Sequence, residues 1–249
     1  MKVEIIGLSG ISEIRRGDDL AGISLEAVER VGLTFEDDDI LVVTSKIISK
    51  SEGRVVDLSE IEVTDRAREL SEMTGKDVRI VQMVLDEAEE IIRIGKDFII
   101  TETKDGVVCA NAGIDESNVE RGRAILLPVS MQESARSLRR EIEKRTEKHL
   151  AVLVSDSIGR AFRDGVVGTC VGVSGLTPVL DRRGEVDRFK KISRITKVGI
   201  ADEICSAANI VMGEFREGIP MVLVRGLTVD GCEADVGDMV FDKSDDVFR

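Results

Sequence analysis

Short apolar runs alternate with charged, helix-patterned segments along the whole chain, and this alternation restricts the fold more than any other feature. Residues 3–6 and 40–44 are apolar runs of strand length, which read as buried strands. Between them, residues 20–31 carry a helical pattern that Gly32 can stop. Thr64 opens a further helix that Gly75 ends. Residues 78–85 read as a strand and 87–94 as a short helix. Residues 98–101 and 107–110 form an expected hairpin around Lys104, Asp105 and Gly106, because Asp-Gly is a strong turn signal. The clearest helix covers residues 131–148. Ser130 stands at its N-cap with Glu133 three residues on, the spacing of a capping box, and Glu141 and Arg145 form an i,i+4 pair. A strand follows at 150–154, then a helix at 201–211 and a strand at 221–224. The class is therefore mixed α/β, and the Gly-rich stretch 159–175 is the best candidate for a crossing between two subdomains.

Composition narrows what such a chain can do. Its 249 residues suffice for one large domain or two intimate smaller ones, and a 42% hydrophobic fraction supports a core without disulfides. No apolar run reaches the roughly 18 residues of a membrane span, and the N-terminus lacks a signal-peptide apolar region, so a soluble cytoplasmic protein is expected. The net charge of −13 argues against non-specific nucleic-acid binding and means that an anionic ligand needs local cations. Cys109, Cys170, Cys205 and Cys232 form no C-x-x-C pair and are expected to be small buried hydrophobes. His149 is the only histidine, and Trp and Tyr are absent, so chemistry falls to carboxylates, amides, hydroxyls, Lys, Arg and backbone.

Several short segments combine those groups. Asp115 follows the strand at 107–110, and Asp156 follows the one at 150–154. Ligands of open α/β sheets sit beyond strand carboxyl ends. There, the two carboxylates and the Ser157 hydroxyl would make an all-oxygen set suited to Mg²⁺ or Mn²⁺. The same residues read equally as a helix cap at Asp115 and a turn at Asp156. Arg160 and Arg163, among glycines, could meet an anion or simply form a surface loop. Glu214, just past a helix that Gly213 can end, could reach a metal or lie in an ordinary helix-to-strand connection. Thr44, Ser45 and Lys46, with Lys50 beyond them, place ammonium groups behind a strand end, where phosphate could be neutralised. Neither G-x-x-x-x-G-K-[ST] nor a strand-linked G-x-G-x-x-G is present.

The order of these segments is more specific than any one of them. GDDL (17–20), DDDILVVTSKIISKSEGR (37–54), NAGIDESN (111–118), SDSIGRAFRDG (155–165), VGVSG (171–175), ADEI (201–204) and EGIPMVLVRG (217–226) run in series. Together they resemble the coenzyme F420-0:γ-glutamyl ligase family in its archaeal stand-alone form, over nearly the whole chain. The resemblance implies one ligase-like domain over 1–249, of two interleaved subdomains in an unusual mixed fold, and an intertwined homodimer. It implies GTP, L-glutamate and F420-0 as substrates, two Mn²⁺ or Mg²⁺ ions, and K⁺. Carried over residue by residue, Ile11, Ser12, Glu13 and Ile14 would form a nucleotide-contacting turn, and Ser45, Lys50 and Asn118 would touch GTP. Met212, Gly213, Glu214, Phe215, Arg216, Glu217, Gly218 and Ile219 would enclose it. Asp115 and Asp156 would bind one metal, and Ser157 and Glu214 the other. The chain departs from the family in having Ser157 for a usual Thr, Arg160-Ala161-Phe162-Arg163 for Arg-Pro-Trp-Arg, and Glu214 for a frequent Gln.

The implied chemistry is phosphorylation of the F420-0 carboxylate by GTP, followed by attack of the glutamate amine on the acyl phosphate, and then repetition to extend a γ-linked tail. In-line phosphoryl transfer asks for positioning and charge neutralisation rather than a covalent nucleophile, so a chain with one histidine could perform it. The same carboxylates would also suit a metal-dependent nucleotide phosphohydrolase, and a GTP-binding protein without turnover is the third reading.

Overall fold

A computed structural model describes residues 2–228, 231 and 234–248. The chain opens with β1 (Glu4–Gly7), α1 (Leu20–Arg30) and β2 (Ile40–Thr44). A short helix, α2 (Ser45–Ser51), starts directly where β2 ends, and β3 (Val55–Asp57) follows it. Helix α3 (Asp65–Thr74) begins and ends where its caps predict. The Thr64 side chain accepts from the Ala67 amide, and Gly75 takes the left-handed conformation at φ 76°.

The next two elements reverse the expected order. Residues 78–85 lie in a helix, α4 (Val78–Glu87), and residues 87–94 lie mostly in a strand, β4 (Ala88–Gly95). The apolar run of α4 is rich in β-branched residues, which favours a strand reading. Asp77, however, caps the Arg79 amide at 2.9 Å, and Ile80, Val81 and Val84 lie at i, i+1 and i+4 on one buried face. The charges of β4 are tolerated because it is an edge strand, paired to β5 (Phe98–Thr103) with two register irregularities. The hairpin of β5 with β6 (Val108–Ala110) forms as expected, with Gly106 at φ 80°.

Then come β7 (Arg123–Ile125), α5 (Met131–Thr146), β8 (Ala151–Arg160) and β9 (Arg163–Ser174). Ser130 caps α5 by accepting from the Glu133 amide, and the Glu141–Arg145 pair stands at 3.4 Å. The chain continues through β10 (Leu180–Asp181), β11 (Lys197–Val198), α6 (Ile200–Met212) and β12 (Met221–Arg225). Two expectations fail around β8. Residues 155–157 are not a turn, because the strand runs on to Arg160. Residues 159–175 are not a crossing, because they form the tip and return strand of a long β8–β9 hairpin. Gly168 and Gly172 there permit close approach, whereas Gly165 takes a left-handed φ of 84° near the tip. A Cβ on Gly168 would lie 2.6 Å from the Cys205 carbonyl oxygen of α6.

The main sheet has the order β1-β12-β2-β8-β9, with β2 and β8 parallel and every other pair antiparallel. Leu41, Val43, Val152, Val154 and Leu223 face α1 and α5, whereas Ile40, Val42, Leu153, Val222 and Val224 face α6. Burial on both faces is why these strands are continuous apolar runs. A separate apolar cluster joins α3, α4 and β5 through Leu70, Ile80, Val84 and Ile99. At the far end of the sheet, Asp39 is buried and takes two bonds from Arg225 at 2.8 and 2.7 Å. Cys109, Cys170 and Cys205 are buried thiols, and Cys232 lies outside the described residues. No helix among the described residues is long and apolar enough to cross a membrane.

Candidate functional site

The site forms where β2 stops and its parallel neighbour does not. Thr44, the last residue of β2, pairs with Ser155, and β8 continues past it, so Asp156 and Ser157 project from a strand whose neighbour has turned into α2. Ser45, the first residue of α2, donates to Asp156 Oδ1 at 2.7 Å. Asp156 keeps a little surface toward the cleft and is otherwise packed in, and this desolvation pushes its carboxyl up to about 6. The nearby Cys109 thiol is pushed up to about 12, by burial first and the Asp156 charge second, so it is an inert thiol and no nucleophile.

Asp115 arrives from a different part of the chain. It does not follow a strand directly. A 3-10 turn at Asn111–Gly113 intervenes, and backbone bonds of 3.0 and 2.8 Å with Ile125 fix its position. Its Oδ1 accepts the Ser117 amide at 2.7 Å, and its Oδ2 accepts the Ser117 hydroxyl at 2.9 Å and Lys46 Nζ at 2.6 Å. Desolvation pushes its carboxyl up, but the Lys46 and Ser117 bonds outweigh that and hold it below the ordinary value. Lys46 also lies close enough to Asp156 to favour its ionised form.

Lys50, one helical turn after Lys46, pairs with Glu13 and donates to the Asn118 carbonyl at 2.8 Å. It therefore ties residues 11–14 to the loop carrying Asn118, a residue in the left-handed conformation at φ 55°. On the opposite wall, Gly213 ends α6 with φ 69° and turns the chain back. Glu214 Oε1 then accepts the Ser157 hydroxyl and Asn209 Nδ2, each at 2.8 Å. Glu217 accepts the Phe215 amide at 2.9 Å, which closes the loop on itself and holds that carboxyl low.

These walls enclose a cavity of ≈ 210 Å³. Of the residues that the resemblance places at the site, all border it except Asp115, which pairs with the bordering Lys46, and Arg216, which is exposed. Arg160 and Arg163 lie away from it at the β8–β9 tip. There Phe162 stacks at a tilt on Phe248, with 5.6 Å between ring centroids. Thr44, Lys46, Ser155 and Asn209 also line the cavity without a site role in the sequence reading, and Lys46 and Asn209 make the contacts that matter. Lys46 was noticed only as a general phosphate neutraliser, and its tie to Asp115 spans 69 positions. Asn209 sits in the last turn of α6 and carries no motif.

Among the described residues, no group of three or more His, Cys, Asp or Glu side chains forms a ready metal cage. The oxygens come as pairs: Asp115 with Asp156, on either side of Lys46, and Ser157 with Glu214. Such a set suits hard cations such as Mg²⁺ and Mn²⁺, which take one or two carboxylates and complete their shell with water and substrate phosphate. The donor chemistry thus fits the implied metals.

A cleft of hydroxyls, carboxylates and ammonium groups at the end of a parallel strand pair, without usable Cys or His, belongs to enzymes that handle anionic substrates by charge and position. The family model of F420-0:gamma-glutamyl ligase matches residues 10–226, and the chain belongs to that family of ligases. It is 48% identical to the coenzyme F420:L-glutamate ligase of Methanocaldococcus jannaschii, covering 100% of this chain and 97% of the relative. It is 43% identical to the protein of that name from Methanothermobacter thermautotrophicus, covering all of both chains, and 42% identical to that from Archaeoglobus fulgidus, covering 100% and 97%.

If the cavity takes the nucleotide that the family resemblance implies, Lys50→Ala is expected to weaken its binding more than tenfold and to lower the melting temperature by only a few degrees. The reason is that its ties hold two cavity loops rather than the core. Calorimetric titration with GTP beside a thermal melt checks this, and a large loss of stability with unchanged affinity would make Lys50 a structural clamp alone.

Proposed function

We propose that this chain is a GTP-dependent ligase that joins L-glutamate to coenzyme F420-0 and then extends a γ-linked glutamyl tail. The observation that supports this reading best is the gathering of residues from positions 11 to 220 around one cavity. Its size and polarity suit part of a nucleotide, and its open side leaves room for an acceptor. In this reading, residues 11–14 and 212–219 grip the nucleotide from two sides, with Lys50 and Asn118 holding the first wall. Asp115 and Asp156 would hold one divalent ion, and Ser157 and Glu214 the second. Such ions supply charge neutralisation of the phosphate chain when bound. K⁺ and a homodimeric assembly complete the proposal.

The reaction runs in two steps. An F420-0 carboxylate oxygen attacks the γ-phosphorus of GTP, the bond to the β-phosphate oxygen breaks, and GDP leaves. The glutamate amine then attacks the acyl carbon and expels phosphate, losing a proton as the amide forms. The protein's part is to keep acceptor and phosphate in line and water out, because the acyl phosphate would otherwise hydrolyse.

GDP release measured with GTP alone, with F420-0 added, and with both F420-0 and glutamate tests this. Full turnover only with both, together with a product heavier by a glutamyl unit, is the expected result. GDP release that ignores both additions would instead assign a nucleotide phosphohydrolase, and binding without release a GTP-binding protein. A finer test concerns the second ion. Glu214→Gln should raise the Mn²⁺ concentration for half-maximal rate several-fold yet keep activity at saturating Mn²⁺, because one carbonyl oxygen survives. Superimposable Mn²⁺ titrations would remove Glu214 from the ligand set.

A further inference from the structure

We infer that Lys46 is a resident cation that occupies the Asp115 site in the metal-free protein and moves to the phosphates when a divalent ion takes its place. This rests on the divalent-ion reading above.

The geometry is specific. Lys46 Nζ lies 2.6 Å from Asp115 Oδ2 and 2.7 Å from the Ser117 hydroxyl. That oxygen also accepts Ser117 Oγ at 2.9 Å, and Oδ1 accepts the Ser117 amide at 2.7 Å, so both carboxylate oxygens already have donors. Lys46 borders the cavity and holds Asp115 Oδ2 from that side. An ion that takes Oδ2 as a ligand therefore competes with Lys46 for it.

The charges make this exchange reasonable. Asp115 and Asp156 repel each other, and Lys46 attracts both, so the ammonium compensates the half-exposed Asp115 and the poorly solvated Asp156 when no metal is bound. A divalent ion supplies twice that charge, and one ammonium beside it is then repelled. The displaced group sits on a flexible four-carbon stem at the start of α2 and borders the same cavity, where phosphate oxygens would accept it. Lys50 cannot play this part, because it is tied to Glu13 and the Asn118 carbonyl and its side chain is only 10% exposed.

The test is Mn²⁺ binding to the nucleotide-free protein, measured by the electron paramagnetic resonance signal of unbound Mn²⁺. Lys46→Met keeps the stem and removes the competing charge, so Mn²⁺ should bind roughly tenfold more tightly. In the same variant a non-hydrolysable GTP analogue with Mn²⁺ should bind at least tenfold more weakly, while guanosine affinity stays unchanged. Lys46→Arg, which keeps the charge, should leave Mn²⁺ affinity near wild type. Mn²⁺ affinity that is unchanged or weaker in Lys46→Met, with the wild-type site still abolished by Asp156→Asn, overturns the role of Lys46 alone. Wild-type protein that binds no Mn²⁺ overturns the divalent-ion reading with it. Should Lys46→Met fail to fold, ¹³C-dimethylated lysines of the wild type provide the second measurement. The Lys46 signal should shift on Mg²⁺ addition without nucleotide, and a stationary signal at saturating Mg²⁺ refutes the exchange.

Discussion

Asp156→Asn is expected to abolish ligation and, at the same time, to make the metal-free protein more stable at neutral pH. The side chain extends from β8 past the end of β2 into a poorly solvated position, with the Ser45 hydroxyl as its direct donor. Its carboxyl is raised from the ordinary 3.8 to about 6, chiefly by desolvation. A raised carboxyl contributes stability that is fully present below its unfolded value and lost as pH rises through its folded one. In the metal-free protein that contribution therefore disappears between about pH 4 and pH 6. At pH 8 the ionised group costs about 3 kcal/mol, at roughly 1.4 kcal/mol per pH unit of displacement. Asparagine removes that cost and keeps the shape. It also removes the anionic ligand for a hard cation, and turnover should fall by roughly a thousandfold or more. Melting curves of both metal-free proteins from pH 4 to pH 8 should converge at the acid end and separate toward pH 8, the variant melting higher. Near wild-type turnover at saturating Mn²⁺ would remove Asp156 from the metal site.

Arg225→Met should produce the largest loss of stability and little direct change in chemistry. Asp39 is 1% exposed, and Arg225 meets it with two bonds while also reaching Glu36 at 2.8 Å and the Thr34 carbonyl at 2.7 Å. Methionine would preserve much of the volume but leave a buried carboxylate without its cation. Breaking a buried pair from one side costs about 3–5 kcal/mol. For a chain of this size that lowers the melting temperature by roughly 10 °C or more. The double variant Arg225→Met with Asp39→Asn should recover a good part of the loss, because no charge is then stranded. If the double variant is as unstable as the single one, packing rather than charge is what Arg225 contributes. The cavity lies at the opposite end of β2, so the KM for L-glutamate in ligation should change less than twofold at a temperature where both proteins are folded.

Much of the fold is legible in local chemistry. Thr64, Gly75 and Ser130 mark helix ends because their effects act within three or four residues. Asp105-Gly106 marks its hairpin for the same reason. What misleads is an apolar run whose partner is distant. Residues 78–85 satisfy a buried strand and a buried helix equally, and packing of α4 on α3 and the 3-10 turn before Asp115 decides between them. Residues 155–157 resemble a turn because Ser and Asp favour turns, whereas the ten-residue β8 continues because β9 pairs with it throughout. In the cleft, the order of short motifs located the walls, but the pairings within it are long-range. Neither Lys46 against Asp115 nor Ser157 against Glu214 has a sequence signal, since each depends on distant parts of the chain meeting in space, and Asn209 reaches Glu214 only because Gly213 turns the chain back.

The place of β12 in the sheet carries a consequence for how the protein is made. β1 and β2 are made well before the strand that lies between them, which ends at Arg225. For most of synthesis β2 has an open edge on that side, as wide as one missing strand, roughly 10 Å between its would-be neighbours. The loop of residues 212–219 is delivered just before that strand, so the last wall of the cleft and the strand that joins β1 to β2 arrive together. A chain halted near residue 210 would have α1, α5 and most of α6 but would leave the facing edges of β1 and β2 unpaired and the cleft without its last wall. The sheet should therefore complete only once β12 has emerged, and a nascent chain that pauses short of it presents an apolar edge that chaperones must shield.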